Sequence, residues 1–144
     1  MQLYRSLVLS KLLYGLQFVW LPKLLRRQID GFHCGCLRQI LGIPHPYISR
    51  VSNAQVLQQA RDIPLHLQLL RQQLQYYGTI TRNAQHPTHT ILRNKIVKRR
   101  IGRPHLSWDV EIAKHIQNMH VDNDCVQHPG HWRKVVKQYC AIDV

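Results

Sequence analysis

The chain has 144 residues, a net charge of +13 and an apolar fraction of 44%. This length suffices for one compact domain or a helical bundle with tails, and the apolar content argues against wholesale disorder. The charge favours nucleic acid or another anionic surface as a partner. Four cysteines without a dense framework argue against a disulfide-stapled secreted domain and favour a reduced, intracellular protein.

The positive charge is concentrated in the first 104 residues. They contain 16 Lys and Arg, and their only acids are Asp30 and Asp62, so their net charge is +14, whereas residues 105–144 have a net charge of −1. The border lies in residues 96–108, where Gly102 and Pro104 cannot continue a helix. We expect a basic, flexible or extended segment there, which suits a polyanion better than a folded core.

Apolar residues dominate the N-terminus and predict a mostly buried helix over residues 3–21. Lys11 and Gln17 interrupt the apolar run, so it is too short for a membrane span and we expect no membrane partner. The first 25 residues also lack acids and resemble a mitochondrial transit peptide, which is the alternative to a buried helix.

Pro22 and Gly42 delimit the second predicted helix, because Pro is favoured at a helix start and Gly just after a helix end. Three-four spacing predicts its apolar side to be Leu25, Ile29, Phe32, Cys36 and Ile40. A second stripe places cations around two glycines: Lys23, Arg27, Gly31, Gly35 and Arg38. Either a phosphate backbone lies on this stripe, or a second helix crosses at the glycines and leaves a solvated basic rim.

Three more helices follow from start signals and spacing. Ser52 and Gln55 form a capping box before a short helix. Pro64 opens a helix that ends near Arg82 and is expected to bury Leu67, Leu70, Leu74 and Tyr77, and a polar loop is expected at residues 83–89. Beyond the basic segment, an amphipathic helix is defined by Trp108, Ile112, Ile116 and Met119.

The C-terminal segment is predicted to contain a solvated loop at residues 122–124 and a final helix after Pro129. The inward side chains of that helix are Trp132, Val135, Val136 and Tyr139. The fold class is therefore all-α. We expect a helical bundle in residues 1–82, a basic extended linker in residues 83–104, and a C-terminal helical pair in residues 105–144.

Four side chains near the C-terminus are candidate zinc ligands: Cys125, His128, His131 and Cys140. Their spacing does not match a common zinc signature, and chance proximity is expected in a chain with ten histidines. We therefore expect no metal, and zinc at this quartet is the minor alternative.

Five segments appear in a distinctive order: LLYGLQ at 12–17, FHCGCLRQILGI at 32–43, SRVSN at 49–53, LLRQQL at 69–74, and RRIGRP at 99–104 followed by Trp108. In this combination the chain resembles the C-terminal part of the reverse transcriptase of a LINE-type (non-LTR) retrotransposon, beginning in the thumb. The resemblance covers most of residues 3–115.

The resemblance implies a helical thumb that holds a template–primer duplex downstream of the polymerase palm, in a protein that also carries an endonuclease. Polymerisation needs paired carboxylates that hold two metal ions. The family's aromatic-x-Asp-Asp signature is absent, since no Asp-Asp pair occurs in the sequence. We therefore expect a non-enzymatic fragment of a larger RNA-directed DNA polymerase, without a cofactor of its own, because Mg²⁺ belongs to the full-length parent.

The expected partner is nucleic acid, as RNA, DNA or hybrid duplex, in the nucleus. Phosphate contacts are expected from Lys23, Arg27, Arg38, Lys98, Arg99, Arg100 and Arg103. The missing palm domain is a further candidate partner. Two alternatives stay open: a non-enzymatic helical interaction module, and a small DNA-binding protein that uses residues 98–104 like an AT-hook in a narrow minor groove.

Overall fold

The protein is all-α, as predicted. The computed structural model describes residues 1–93, 107–121 and 123–141, and these ranges contain helices and no strand. The helices are α1 (Ser10–Leu13), α2 (Lys23–Leu41), α3 (Pro46–Ser49), α4 (Asn53–Ala60), α5 (Leu65–Arg82), α6 (Pro87–Arg93), α7 (Trp108–Asn118), α8 (Asn123–Gln127) and α9 (Pro129–Tyr139). A π-helical stretch, Tyr4–Leu9, leads into α1, and a 3₁₀ turn, Leu16–Phe18, follows it.

The N-terminal helix is shorter and more exposed than predicted. It ends at Leu13, and Gly15 turns the chain with a left-handed φ of 77°, which only glycine adopts without strain. Leu3 and Leu7 are 75% and 59% exposed. The prediction of a buried helix to residue 21 was wrong because the turn at Gly15 redirects the chain and delivers Trp20 into the core beside α5.

Helix α2 begins and ends where the sequence predicted, but it is rotated about its axis. Gly42 adopts φ 66°, and the N–H of Ile43 donates to the carbonyl of Arg38 at 2.9 Å, which closes the helix with a Schellman motif. The buried residues are His33, Cys34, Leu37 and Arg38. The predicted apolar side was right in part: Ile29 and Cys36 pack against the core, whereas Leu25, Phe32 and Ile40 are 43%, 48% and 44% exposed.

Helix α5 is the central element because its two apolar faces serve two core clusters. Leu65 and Leu69 pack with residues of the N-terminal segment (residues 1–22, before α2), of α2 and of α4. Leu67, Leu70 and Leu74 pack with Trp20 and with α7, α8 and α9, which confirms the predicted seam. A third face of α5 carries polar residues that belong to neither cluster: Gln68, Arg71, Gln72 and Gln75.

The C-terminal helices pack onto α5 around the indole of Trp132. The side chain of Trp132 is 1% exposed, and its Nε1–H donates to the carbonyl of Leu74 at 3.0 Å. Beside it, Arg82 donates to the carbonyl of Val126 at 2.8 Å. The buried positions predicted for α7 and α9 are confirmed, with Ile112, Trp132 and Val136 in the core.

Two predicted loops are partly helical. Helix α6 begins at Pro87, inside the predicted loop of residues 83–89, and α8 begins at Asn123, inside the predicted loop of residues 122–124. The capping box of α4 is present, with reciprocal bonds between Ser52 and Gln55. The division of the chain at residues 83–104 stays a prediction. In the described ranges, no helix is both long enough and apolar enough to cross a bilayer.

Candidate nucleic-acid interface

The basic stripe of α2 lies largely open. Lys23 and Arg27 are exposed, and so are Gly31 and Gly35 farther along the helix. A Cβ atom added to either glycine would meet no other atom within 4 Å. No described helix therefore crosses α2 at its glycines, and the stripe presents smooth backbone next to two cations.

Arg38 does not belong to that exposed stripe. Its side chain is buried, and its guanidinium donates to the carbonyl of Val51 at 2.6 Å and to Oδ1 of Asn53 at 3.2 Å. These bonds tie α2 to the start of α4. The prediction that Arg38 lies on the surface was wrong. Its spacing matches the stripe, but its side chain turns toward the core and toward the start of α4.

The second predicted group of cations cannot be placed. Lys98, Arg99, Arg100 and Arg103 lie outside the described residues. Their contribution to binding, and the AT-hook alternative, therefore rest on the sequence.

A buried polar network engages one of the two acids of residues 1–104. The Tyr4 hydroxyl and Nδ1 of His33 share a hydrogen bond of 2.9 Å, and Nε2 of His33 lies 3.9 Å from Oδ2 of Asp62. Arg5 donates to the same Asp62 oxygen at 3.1 Å. Burial lowers the pKa of His33, although Asp62 opposes the shift, and burial raises the pKa of Tyr4. His33 is therefore held neutral in the core.

The other acid, Asp30, is held by His66. Burial alone would raise the pKa of Asp30, but His66 donates from its backbone N–H at 2.9 Å and approaches with Nδ1 at 2.6 Å. These bonds outweigh burial, and the pKa of Asp30 falls below its ordinary value. Both acids of the first 104 residues thus have internal partners, so the outward charge of that region is positive.

A polar groove that the sequence analysis missed runs between the N-terminal segment and α5. Two adjoining cavities of about 420 Å³ each share Gln72 and Gln75. The first also contains Arg5, Asp62 and Arg71. The second is lined from the N-terminal side by Ser10, Leu13, Tyr14 and Gln17. The available signal was the recurrence of Gln68, Gln72 and Gln75 at helical spacing in LQLLRQQLQYY, at 67–77, on the side of α5 opposite its leucines.

Aromatic rings form one end of this groove. Tyr14 is 87% exposed. Tyr76 is held in place by edge-on contacts with Phe18, His86 and Trp108, whose ring centroids lie 4.8, 6.1 and 6.1 Å away. The groove therefore combines an open ring, a fixed ring, amides and arginine in one concave surface.

Three of the four candidate zinc ligands, Cys125, His128 and His131, line one shallow cavity together with His120 and Asp124. Cys125 and Cys140 are buried in the core, whereas His128 and His131 are exposed. Within residues 1–93, 107–121 and 123–141, no three His, Cys, Asp or Glu side chains come together as a metal site. Cys125 and Cys140 both belong to the core cluster around Trp132.

Comparison with known proteins adds no relative. The chain has no significant match among protein-family models, curated proteins or solved structures.

Proposed function

We propose that the chain is a non-catalytic nucleic-acid-binding segment, related to the thumb of a LINE-type reverse transcriptase, that holds its ligand through phosphate contacts. One observation carries the proposal. In the region of net charge +14, both acids are bound internally, while Lys23 and Arg27 face solvent beside two unobstructed glycines. Such a surface attracts a polyanion and lets its backbone approach closely.

The expected binding is electrostatic and tolerant of sequence. Contacts to phosphates position a nucleic acid without reading its bases, and each neutralised phosphate contributes about −0.9 to the slope of log K against log salt on B-DNA. Because Arg38 is buried, the stripe of α2 supplies two cations for phosphate contacts. The other phosphate contacts are assigned to Lys98, Arg99, Arg100 and Arg103.

The wider features of the proposal follow from the resemblance. Template–primer duplex, RNA and DNA are the candidate ligands, the palm domain is a candidate partner, and a nuclear location is expected. The catalytic carboxylates and Mg²⁺ belong to the rest of the parent polymerase, so this chain binds nucleic acid and contributes no catalytic residue.

The test is a fluorescence anisotropy titration of the full chain with an RNA–DNA hybrid duplex across a salt series. The variant Lys23→Gln/Arg27→Gln is expected to flatten the salt slope by about two, at about 0.9 per contact. The variant with Lys98, Arg99, Arg100 and Arg103 changed to Gln is expected to flatten it by about four. The matched control is Arg133→Gln/Lys134→Gln, which removes two exposed cations from α9.

The proposal fails if the wild-type chain, shown to be helical by circular dichroism, binds none of these ligands at low salt. It also fails if the α9 control flattens the slope as much as the α2 variant, because the charge effect would then be global. A duplex arm rich in A·T pairs tests the AT-hook alternative, which requires a preference for that duplex that the four-site variant abolishes.

A second function, a helical interaction module, is favoured by exposed apolar side chains. Leu7 and Leu24 are 59% and 67% exposed, and Phe32 and Ile40 add to the apolar surface of α2. Large exposed apolar areas commonly mark a protein interface. Sedimentation velocity tests it: this function requires self-association that Leu7→Gln/Leu24→Gln removes and that Ile48→Gln, at a 74% exposed residue of α3, leaves intact. A monomer at every concentration contradicts it.

A further inference from the structure

We infer that the groove between the N-terminal segment and α5 binds single-stranded nucleic acid, as RNA or DNA, by stacking bases on Tyr14 and pairing base edges with glutamine amides. This inference rests on the proposed function and deepens it. The stripe of α2 explains attraction to phosphates in general, whereas the groove distinguishes a single strand from a duplex.

The dimensions of the groove suit a few nucleotides. The two cavities join at Gln72 and Gln75 and extend along α5 from Gln68 to Tyr76. At about 1.5 Å per residue this distance is about 12 Å. A strand that rises about 3.4 Å per nucleotide places about three nucleotides along it.

The charge of the groove suits a polyanion. Arg71 lines the first cavity and is half-buried, and an arginine in this setting packs its aliphatic stem against the protein and extends its guanidinium toward solvent. The one acid in the lining, Asp62, is engaged by Arg5 at 3.1 Å and by the amide of Gln68 at 3.0 Å. Its negative charge is therefore compensated within the protein.

Base recognition comes from the aromatic and amide side chains. The ring of Tyr14 is 87% exposed at the rim of the second cavity, so a base can stack on its face. Within the described residues, the side-chain amides of Gln17, Gln72 and Gln75 make no hydrogen bond, so their donors and acceptors face the groove unused. Glutamine pairs with base edges through this combination of donor and acceptor.

A duplex does not use the Tyr14 ring, because its base faces are stacked on one another, and its paired bases turn their Watson–Crick edges away from the amides. A folded protein partner would need apolar contact area, which a lining of glutamine and arginine does not supply. A single strand can satisfy all the groups at once, since its bases turn outward to stack and its phosphates meet Arg71.

The experiment titrates the full chain with a fluorescein-labelled single-stranded RNA, the equivalent DNA, and the duplex of the same sequence. Tyr14→Ala is expected to weaken single-strand binding roughly 5- to 150-fold, because one stacked base contributes about 1–3 kcal/mol and about 1.4 kcal/mol is a factor of ten. Duplex binding is expected to stay within about twofold of the wild type.

The chain offers a close control. Tyr47, on α3, is 88% exposed and does not line the groove, so Tyr47→Ala removes an equally exposed ring. Tyr14→Phe keeps the ring and is expected to retain single-strand affinity. For the amides, Gln72→Ala is compared with Gln59→Ala, which removes an exposed glutamine from α4.

The outcomes distinguish single-strand binding in the groove from the proposed function, which is nucleic-acid binding in general. Selective loss of single-strand affinity in Tyr14→Ala and Gln72→Ala supports the groove. Equal affinity of Tyr14→Ala and Tyr47→Ala, in a chain that still binds nucleic acid, overturns the groove and leaves the proposed function standing. Failure of the wild-type chain to bind any strand or duplex overturns both. Photo-crosslinking with 4-thiouridine RNA gives an independent check, because crosslinks confined to α2 would also overturn the groove.

Discussion

Gly78 is the position where α5 accepts the indole of Trp132. A Cβ atom at residue 78 would lie 2.4 Å from Nε1 and 2.6 Å from Cδ1 of Trp132, and 3.0 Å from a guanidinium nitrogen of Arg82. The indole cannot simply move away, since it is 1% exposed and its N–H is bonded to the carbonyl of Leu74. We therefore predict that Gly78→Ala destabilises the protein.

The magnitude follows from two opposing effects. Alanine in a helix interior is favoured over glycine by about 0.8–1.0 kcal/mol. Overpacking of a core costs about 1–3 kcal/mol, and a buried donor left without its acceptor costs a further ~1–3 kcal/mol. The free energy of unfolding is therefore expected to fall by about 1–5 kcal/mol in Gly78→Ala.

Gly35→Ala is the matched control, because Gly35 also lies inside a helix but has no atom within 4 Å of an added Cβ. It keeps the gain in helix propensity without the collision, so we expect stabilisation by about 0.4–1 kcal/mol. Urea unfolding followed by circular dichroism measures both variants. If Gly78→Ala unfolds at the same or a higher urea concentration than Gly35→Ala, the packing of Trp132 against α5 is refuted.

Three further predictions concern the polar contacts of α2 and α4. Because burial lowers the pKa of His33 below its ordinary 6.5, the unfolded state binds the imidazole proton more tightly than the folded state does. The stability that neutral His33 contributes is therefore complete above pH 6.5 and is lost as the pH falls below that value. The variant His33→Gln is expected to flatten this decline of stability, measured by urea unfolding at several pH values. Arg38→Gln is expected to lower the free energy of unfolding by about 1–3 kcal/mol while leaving nucleic-acid affinity unchanged. Ser52→Ala, which removes the cap of α4, is expected to cost about 1 kcal/mol in the same assay.

Each of these predictions has a clear contrary result. For His33, the exposed His128→Gln serves as the control, and equal pH slopes in both variants would contradict a buried neutral imidazole. For Arg38, a loss of nucleic-acid affinity at unchanged stability would show that the guanidinium reaches the ligand. For Ser52, an unchanged urea midpoint would mean that the capping box does not contribute.

Local signals in the sequence determined where most helices begin and end. Pro22 and Gly42 delimit α2, the Ser52 capping box begins α4, and Pro64 precedes α5. These signals act through the few backbone groups at a helix terminus, so they need no knowledge of the rest of the fold. The buried apolar faces of α5, α7 and α9 could also be predicted from the sequence, because each forms one clear stripe at helical spacing.

The tertiary structure alone decided which face of α2 is buried and what surrounds the groove. Helix α2 carries two overlapping arcs that can both pack, and its neighbours α4 and α5 meet the arc of His33, Cys34 and Leu37, which leaves Phe32 outside. The same packing turned Arg38 inward and brought Tyr14 beside Gln72 across a separation of 58 positions. Spacing along one helix defines its faces but not their partners, because burial depends on which other elements the chain brings against it.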